Sequence, residues 1–172
     1  MLEIRDARRE VVRRFSSEDD GPGPHPSDTP GLHRFLWDLR HASPAPMVEG
    51  VRGTRVPPGQ YTVRLGTGAK TLTVPLLIEP DPLRGVSIEE IQRQYAVSRE
   101  TGRTLRDLAV ARASRRAPGV DQALEAELDE MWRDVLRVFV TVEESDTPLS
   151  LEMQRSITTL LRAARDLMAR GR

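Results

Sequence analysis

The chain has 172 residues, enough for one compact domain or two small ones, and 38% of them are hydrophobic. Its 26 basic residues, all but one of them arginines, balance 26 acidic residues, which disfavours a basic nucleic-acid-binding or membrane-surface domain. The absence of cysteine excludes disulfides and thiolate zinc sites. No apolar run approaches the roughly 18–20 residues that span a bilayer, so no membrane span is predicted.

The first half of the chain alternates apolar and polar residues with a period of two, which is typical of β-strands. Leu2 and Ile4 alternate with charged residues, a polar turn follows at 6–9, and the alternation resumes over 11–15. These segments predict a hairpin. Residues 16–31 are rich in Pro, Gly, Ser and Asp, and we expect them to form a loop.

A third strand is predicted from Leu32 to Arg40, because its aromatic residues fall on one face of the alternating pattern. A second Pro/Gly-rich loop follows over 41–59. The segments 61–65 and 72–78 alternate again and predict another hairpin, with its reversal in Gly66-Thr67-Gly68. The predicted core of this half consists of Phe35, Trp37, Tyr61, Val63 and Leu65.

The hydrophobic period changes from two to three or four after about residue 87, which indicates a change of architecture. Two prolines and a glycine between Pro80 and Gly85 stop any regular element there. We therefore predict a β domain at 1–80, a linker at 81–86 and a helical domain at 87–172.

The helical half begins with Ser87-Ile88-Glu89-Glu90, the pattern of a capping box. The first helix should end before Pro118, and Gly102 within it is expected to mark a close approach of helices. A second helix is predicted over 120–144. A third should be capped by Thr147 with Pro148 at its first position.

These elements predict an α+β fold. Five or six short strands with long turns favour a small antiparallel Ig-like β-sandwich, and three amphipathic helices with short connections favour an up-down-up bundle. A wide apolar stripe on the second helix is a candidate interaction surface for self-association; it consists of Met131, Trp132, Val135 and Phe139.

The residues that usually carry chemistry show no reactive pattern. His25, His33 and His41 lack metal-ligand spacing, and the glycines at 66–68 join two strands rather than open a phosphate-binding helix. The acidic run 18–20 with Asp28 could hold a hard cation, but a solvated acidic loop is the alternative. We therefore predict no catalytic residue, no cofactor and no metal site.

Three stretches together resemble a known type of protein. They are Gly31-Leu32-His33-Arg34-Phe35-Leu36-Trp37-Asp38-Leu39-Arg40, Pro58-Gly59-Gln60-Tyr61-Thr62-Val63-Arg64-Leu65, and Asp81-Pro82-Leu83-Arg84 before a helix. With the opening hairpin, the chain resembles the C-terminal region of large bacterial proteins with sortilin-like, sialidase-type-repeat β-propellers. In that family an Ig-like segment of the flagellar hook-capping type and a helical tail follow the propeller.

The resemblance implies an accessory role and export from the cell. Any glycoside-hydrolase-like activity of such proteins would be expected in the propeller, which this chain lacks, and the start Met1–Arg5 shows no signal-peptide pattern. The compartment is therefore left open.

The leading hypothesis is a non-catalytic accessory module that packs against a propeller or a partner protein, either as part of a longer chain or as a shortened relative. One alternative is a carbohydrate- or protein-binding sandwich, which would need an exposed aromatic ring such as Trp37 or Tyr61. Another is a module that forms homo-oligomers through its helices. A hydrolase is a further alternative.

Overall fold

The computed structural model describes residues 1–19, 23–83, 85–114, 122–145 and 147–170. The architecture is α+β, with a four-stranded antiparallel sheet followed by three helices. The chain divides into two compact units: residues 1–42 with 55–85 form the first, and residues 43–54 with 86–172 form the second. The segment 43–54 thus belongs to the helical unit, although it lies within the 1–80 that the sequence assigned to the β domain.

The first unit is built on one sheet with the strand order β2-β1-β3-β4. Its strands are β1 (Leu2–Asp6), β2 (Val11–Phe15), β3 (Gly59–Thr67) and β4 (Lys70–Ile78). Consecutive strands in this order pair antiparallel, so both predicted hairpins are confirmed.

The turns of the two hairpins follow from their sequences. In the first, the Asp6 carboxylate accepts hydrogen bonds from the backbone N–H groups of Arg8 and Glu10, both at 2.9 Å, and Arg9 takes a positive φ of 65°. In the second, Gly68 supplies the positive φ of 56° that a tight reversal needs.

A register shift in β1 and β2 changes which side chains of β2 are buried. The shift lies between Ile4 and Arg5, so strict alternation does not hold along β2. Because of this irregularity, Val12 and Phe15 are both buried in the same apolar cluster, although alternation had placed them on opposite faces.

The predicted strand from Leu32 to Arg40 is wrong. The segment forms no strand; its one bridge pairs Arg40 with Arg55, and Leu39 takes a positive φ of 56°, which interrupts an extended ladder. The alternation nevertheless reports which side chains point inward, since Phe35 and Trp37 pack against the buried cluster of the sheet. The segment therefore covers the sheet through its side chains and not through backbone pairing.

The second unit contains helices α1 (Ile88–Ser114), α2 (Gln122–Glu144) and α3 (Leu151–Ala169), each of which contacts the other two. The predicted end of the first helix near Pro118 and the start of the second near Val120 lie outside the described residues. The fully buried side chains at the centre of this unit are Leu105, Leu108, Leu128, Val135, Phe139 and Ala164.

The helix caps agree with the sequence in one case and not in the other. At α1 the predicted capping box is confirmed, since Glu90 N–H donates to Ser87 Oγ (3.2 Å) and Ser87 N–H donates to Glu90 Oε2 (3.0 Å). At α3 the predicted cap Thr147 is wrong. Ser150 is the N-cap, and its Oγ accepts from Met153 N–H at 3.1 Å.

Gly102 confirms the predicted close approach inside the second unit. A Cβ at this position would lie 3.1 Å from Cε2 of Phe139 on α2 and 3.7 Å from the Cβ of Pro44. The segment 43–54 packs beside this contact, with Ala45 buried in the helical core and Val48 and Val51 partly buried against it. The absence of a side chain at Gly102 thus lets α2 and the segment reach the same turn of α1.

Candidate interaction surfaces

The aromatic residues predicted as core are used inside the first unit. Tyr61 is buried, and its hydroxyl donates to the Pro57 carbonyl at 2.7 Å. Trp37 lies edge-on to Tyr61, with ring centroids 6.3 Å apart, and its Nε1 donates to the Arg40 carbonyl at 2.9 Å. Both rings therefore have their polar atoms bonded to backbone carbonyls of the same unit.

The other predicted core residues are less deeply placed. Phe35 and Val63 are half-buried against the cluster that contains Tyr61, and Phe35 packs on Phe15 with centroids 4.7 Å apart. Leu65 is half-buried nearer the open end of β3.

The structure places the four residues of the helical surface predicted for self-association in the core of the helical unit or against it. Val135 and Phe139 are fully buried in the core of the helical unit. Met131 and Trp132 pack against that core and are only partly exposed. Arg112 lies over the Trp132 ring at 4.5 Å from its centroid and pairs with Asp129. These apolar residues therefore stabilise the unit itself. The sequence could not distinguish this role from docking, because both core residues and interface residues show heptad-like spacing.

The candidate chemistry gathers into no site among the described residues. His33 Nε2 lies 2.8 Å from the Thr29 carbonyl oxygen, and the buried His41 accepts at its own carbonyl from Arg13. In the described part of the chain no group of three or more His, Asp and Glu could hold a metal ion. Of the acidic run, Asp19 accepts from Ser16 N–H at 3.0 Å, and Asp20 lies outside the described residues.

A cluster of charged residues that the sequence pattern does not predict lies on the face of the sheet opposite the aromatic residues. Glu3 on β1 is only 2% exposed, although it alternates with the inward-pointing Leu2 and Ile4. Its Oε1 accepts from Nε (2.9 Å) and Nη2 (2.7 Å) of Arg14, and its Oε2 accepts from Nε (3.1 Å) and Nη2 (2.7 Å) of Arg5. Nη1 of Arg64 lies 3.6 Å from Oε2.

The strand register explains this cluster. Glu3 pairs with Arg14 on β2 and with Arg64 on β3, so three side chains form one row across the sheet, and Arg5 lies two residues along the same face. We call Arg5, Arg14 and Arg64 around Glu3 the arginine face. The sequence shows a glutamate on one strand and arginines on two others. Their contact could be predicted only if the strand register were known.

The arginines set the ionisation of Glu3. Hydrogen bonding from the Arg5 guanidinium, with a further contribution from Arg14, lowers the pKa of the Glu3 carboxyl below its ordinary value of 4.5 despite the opposing effect of burial. Glu3 is therefore charged at neutral pH, and the two guanidinium groups are held in fixed positions on the surface.

A second surface lies along β4, which pairs with β3 on one side only and forms an edge of the sheet. Leu72 is 65% exposed, Val74 is 55% exposed and Leu77 is 62% exposed. Leu72 and Val74 lie on the face that bears the aromatic cluster, and Leu77 lies on the opposite face. We call these three residues the β4 apolar edge.

The remaining polar features of the second unit are structural. Thr54 and Ser98 are buried and hydrogen-bonded at 2.9 Å, and Ser98 donates to Glu143. The amide of Gln94 donates to the Val142 carbonyl at 3.1 Å. The hydrogen bonds of Thr54, Ser98 and Gln94 tie α1 to α2 and to the segment 43–54.

An open groove on the second unit is lined along α3 by Leu151, Gln154, Arg155, Thr158, Thr159 and Arg162.

Comparison with known proteins finds no matching family model, no matching curated protein and no matching solved structure. In the described part of the chain, no helix combines the length and the apolar character that crossing a membrane requires.

Proposed function

We propose that the chain is a non-catalytic accessory module that packs against another protein surface through the β4 apolar edge. In this proposal the first unit is related to Ig-like sandwiches, with the segment 32–40 in the position that a second sheet would occupy. The three helices form an up-down-up bundle. The resemblance of 31–40 and 58–65 to the segment that follows sortilin-like propellers supports a propeller as the surface that is bound.

The observation that carries the proposal is the exposure of Leu72, Val74 and Leu77 on one short strand. Large aliphatic side chains on both faces of an edge strand are costly in water and are typical of a surface that another protein covers. Pro75 in the middle of β4 has no backbone N–H, and prolines in edge strands occupy positions whose N–H would face solvent. Contact through side chains is therefore favoured over addition of a further strand.

The alternatives are supported less well. A carbohydrate-binding surface needs an exposed ring, whereas Tyr61 is buried and Trp37 is half-buried with its indole N–H bonded. Homo-oligomerisation through the second helix would need Val135 and Phe139, which are buried. A self-associating chain would have to use another surface, and light scattering of the purified chain at high concentration tests this.

Photo-crosslinking tests the main proposal. A photoreactive amino acid replaces Leu72 or Val74 in the cells that naturally make the protein, and Val110, which is 66% exposed on α1, serves as the control position. We expect one discrete adduct from positions 72 and 74 and none from position 110. Adducts from all three positions, or from none, would contradict the proposal.

The non-catalytic part of the proposal has its own test. Purified protein is assayed on panels of glycoside and ester substrates, and we expect no turnover. Turnover that disappears on changing Asp38 or Arg40, the polar residues of the motif at 31–40, would show that the chain is an enzyme.

A further inference from the structure

The arginine face carries more positive charge than its buried carboxylate requires. Arg5 donates two hydrogen bonds to Oε2 of Glu3 and Arg14 donates two to Oε1, and Arg64 at 3.6 Å lies beyond hydrogen-bond distance. One carboxylate among three guanidinium groups leaves a net charge of +2. In the described ranges, no other carboxylate pairs with these arginines.

The arginine side chains of this face are accessible to solvent. The side chain of Arg14 is 58% exposed, that of Arg64 is 43% exposed and that of Arg5 is 29% exposed. Arg5 and Arg14 use Nε and Nη2 on Glu3, so the Nη1 group of each has no hydrogen-bond partner among the described residues. Each group can therefore donate to an incoming oxyanion.

Glu3 also fixes these donors before any partner arrives. An arginine that is already held by two hydrogen bonds to a carboxylate oxygen loses less side-chain freedom on binding than a free one, which favours association. Arg14 and Arg64 lie on the strands that flank β1, so their backbones are roughly 10 Å apart, which is twice the spacing between neighbouring strands. Their guanidinium groups are closer together, because Nη2 of Arg14 and Nη1 of Arg64 lie 2.7 Å and 3.6 Å from the two oxygens of one carboxylate. The face thus presents two exposed cationic side chains beside each other, of which Arg14 is held by Glu3.

We propose that the arginine face binds an acidic segment of a partner protein that carries two carboxylates on the same side of an extended chain, about 7 Å apart. The proposal rests on the proposed function, because it names the chemistry of a partner for an interaction module. A nucleic acid fits less well, since the aromatic rings that could stack on bases, including Tyr61 and Phe15, pack together on the opposite side of the sheet. A residual charge of +2 also matches a short acidic segment better than a continuous phosphate backbone.

The test is a titration of the full chain followed by NMR at the arginine Nε–H groups. The probe is an acetylated and amidated peptide, Gly-Glu-Ser-Glu-Gly, whose glutamates point to the same side about 7 Å apart when the chain is extended. The same peptide with glutamine in place of glutamate, and inorganic phosphate at equal concentration, serve as controls. We expect the glutamate peptide to shift the Nε–H signals of Arg14 and Arg64, and the glutamine peptide to leave them unchanged.

A substitution at Arg64 tests binding without disturbing the fold, because Glu3 keeps all four hydrogen bonds from Arg5 and Arg14. Arg64→Gln should weaken binding of the glutamate peptide by about threefold or more. The matched control is Arg137→Gln on α2, where Arg137 pairs with Asp134 at 3.1 Å; it should leave the affinity unchanged.

Three results would overturn the proposal. They are equal binding of the glutamine peptide, an unchanged affinity in Arg64→Gln, and phosphate binding as tight as that of the glutamate peptide, which would make the face a simple anion site. If any of these results is found while positions 72 and 74 still give photo-crosslinked adducts, the proposed binding of an acidic segment is wrong. The proposed module function, which depends on the β4 apolar edge, is then still supported. If the peptide binds but positions 72 and 74 give no adducts, the β4 apolar edge is excluded as a docking surface.

Discussion

Glu3 is only 2% exposed among partly exposed arginines, and a carboxylate withdrawn from water in this way is unfavourable without partners. Its four hydrogen bonds from Arg5 and Arg14 supply those partners, and the lowered pKa follows from them. The same pairing gives the first unit a fixed polar surface. Stability and the proposed recognition of an acidic partner therefore depend on one residue.

Replacing Glu3 with glutamine should lower the free energy of unfolding at pH 7 by about 1–3 kcal/mol. The amide removes the charge that Arg5 and Arg14 share, and it leaves guanidinium groups close together. Urea unfolding followed by circular dichroism measures the change. Glu130→Gln, at an exposed position on α2, is the control and should have little effect. An equally stable Glu3→Gln variant would contradict this role.

The effect of Glu3→Gln on the free energy of unfolding should depend on pH. Because the pKa of Glu3 is lower in the folded chain than its ordinary value of 4.5, its contribution to stability is fully present above that value and is lost as the pH falls through the folded-state pKa. The difference in unfolding free energy between the natural chain and Glu3→Gln should therefore shrink towards pH 2. A difference that stays constant from pH 7 to pH 2 would show that ionisation is not its source.

Gly102 tests the packing of α1. A Cβ would lie 3.1 Å from the buried Phe139 ring, which is closer than carbon atoms normally approach. We expect Gly102→Val to lower the free energy of unfolding by about 1–3 kcal/mol, despite the poor helix propensity of glycine. In a Phe139→Leu background, the cost of the valine should be smaller, and thermal unfolding of the four proteins measures this coupling. An equal loss of unfolding free energy with phenylalanine and with leucine at position 139 would show that contact with the Phe139 ring is not the cause.

At the scale of elements, local signals predicted most of the structure. The capping box at Ser87 and Glu90 involves residues three apart, so its chemistry is visible in the sequence. The strand predicted from Leu32 to Arg40 failed because alternation specifies the direction of side chains and leaves backbone pairing undetermined. A positive φ at Leu39, a residue that rarely adopts it, has no signal in the sequence.

The start of α3 offers a direct comparison between two candidate caps. Ser150→Ala should destabilise the chain by about 0.5–2 kcal/mol, because the Met153 N–H loses its acceptor. Thr147→Ala removes a hydroxyl that lies outside the helix, and we expect a much smaller effect. Urea unfolding of both variants distinguishes them, and a larger loss for Thr147→Ala would restore the sequence-based prediction.

At the scale of the whole molecule, the change of hydrophobic period correctly separated strands from helices. It could not predict that 43–54 packs with the helices, since Ala45, Val48 and Val51 lie in a Pro/Gly-rich loop and contact residues far along the chain. The arginine face was missed for a related reason. Glu3, Arg14 and Arg64 are distant in sequence and become neighbours only through the strand register.

The β4 apolar edge is the surface on which the proposed function depends, and its coverage can be measured directly. The chain has no cysteine, so Val74→Cys introduces a single thiol, and Val110→Cys provides an exposed reference. Maleimide labelling should be equally fast at both positions in the purified protein. In the cells that naturally make it, we predict that position 74 is protected while position 110 still reacts. Fast labelling at position 74 in those cells would show that nothing covers this edge and would contradict the account.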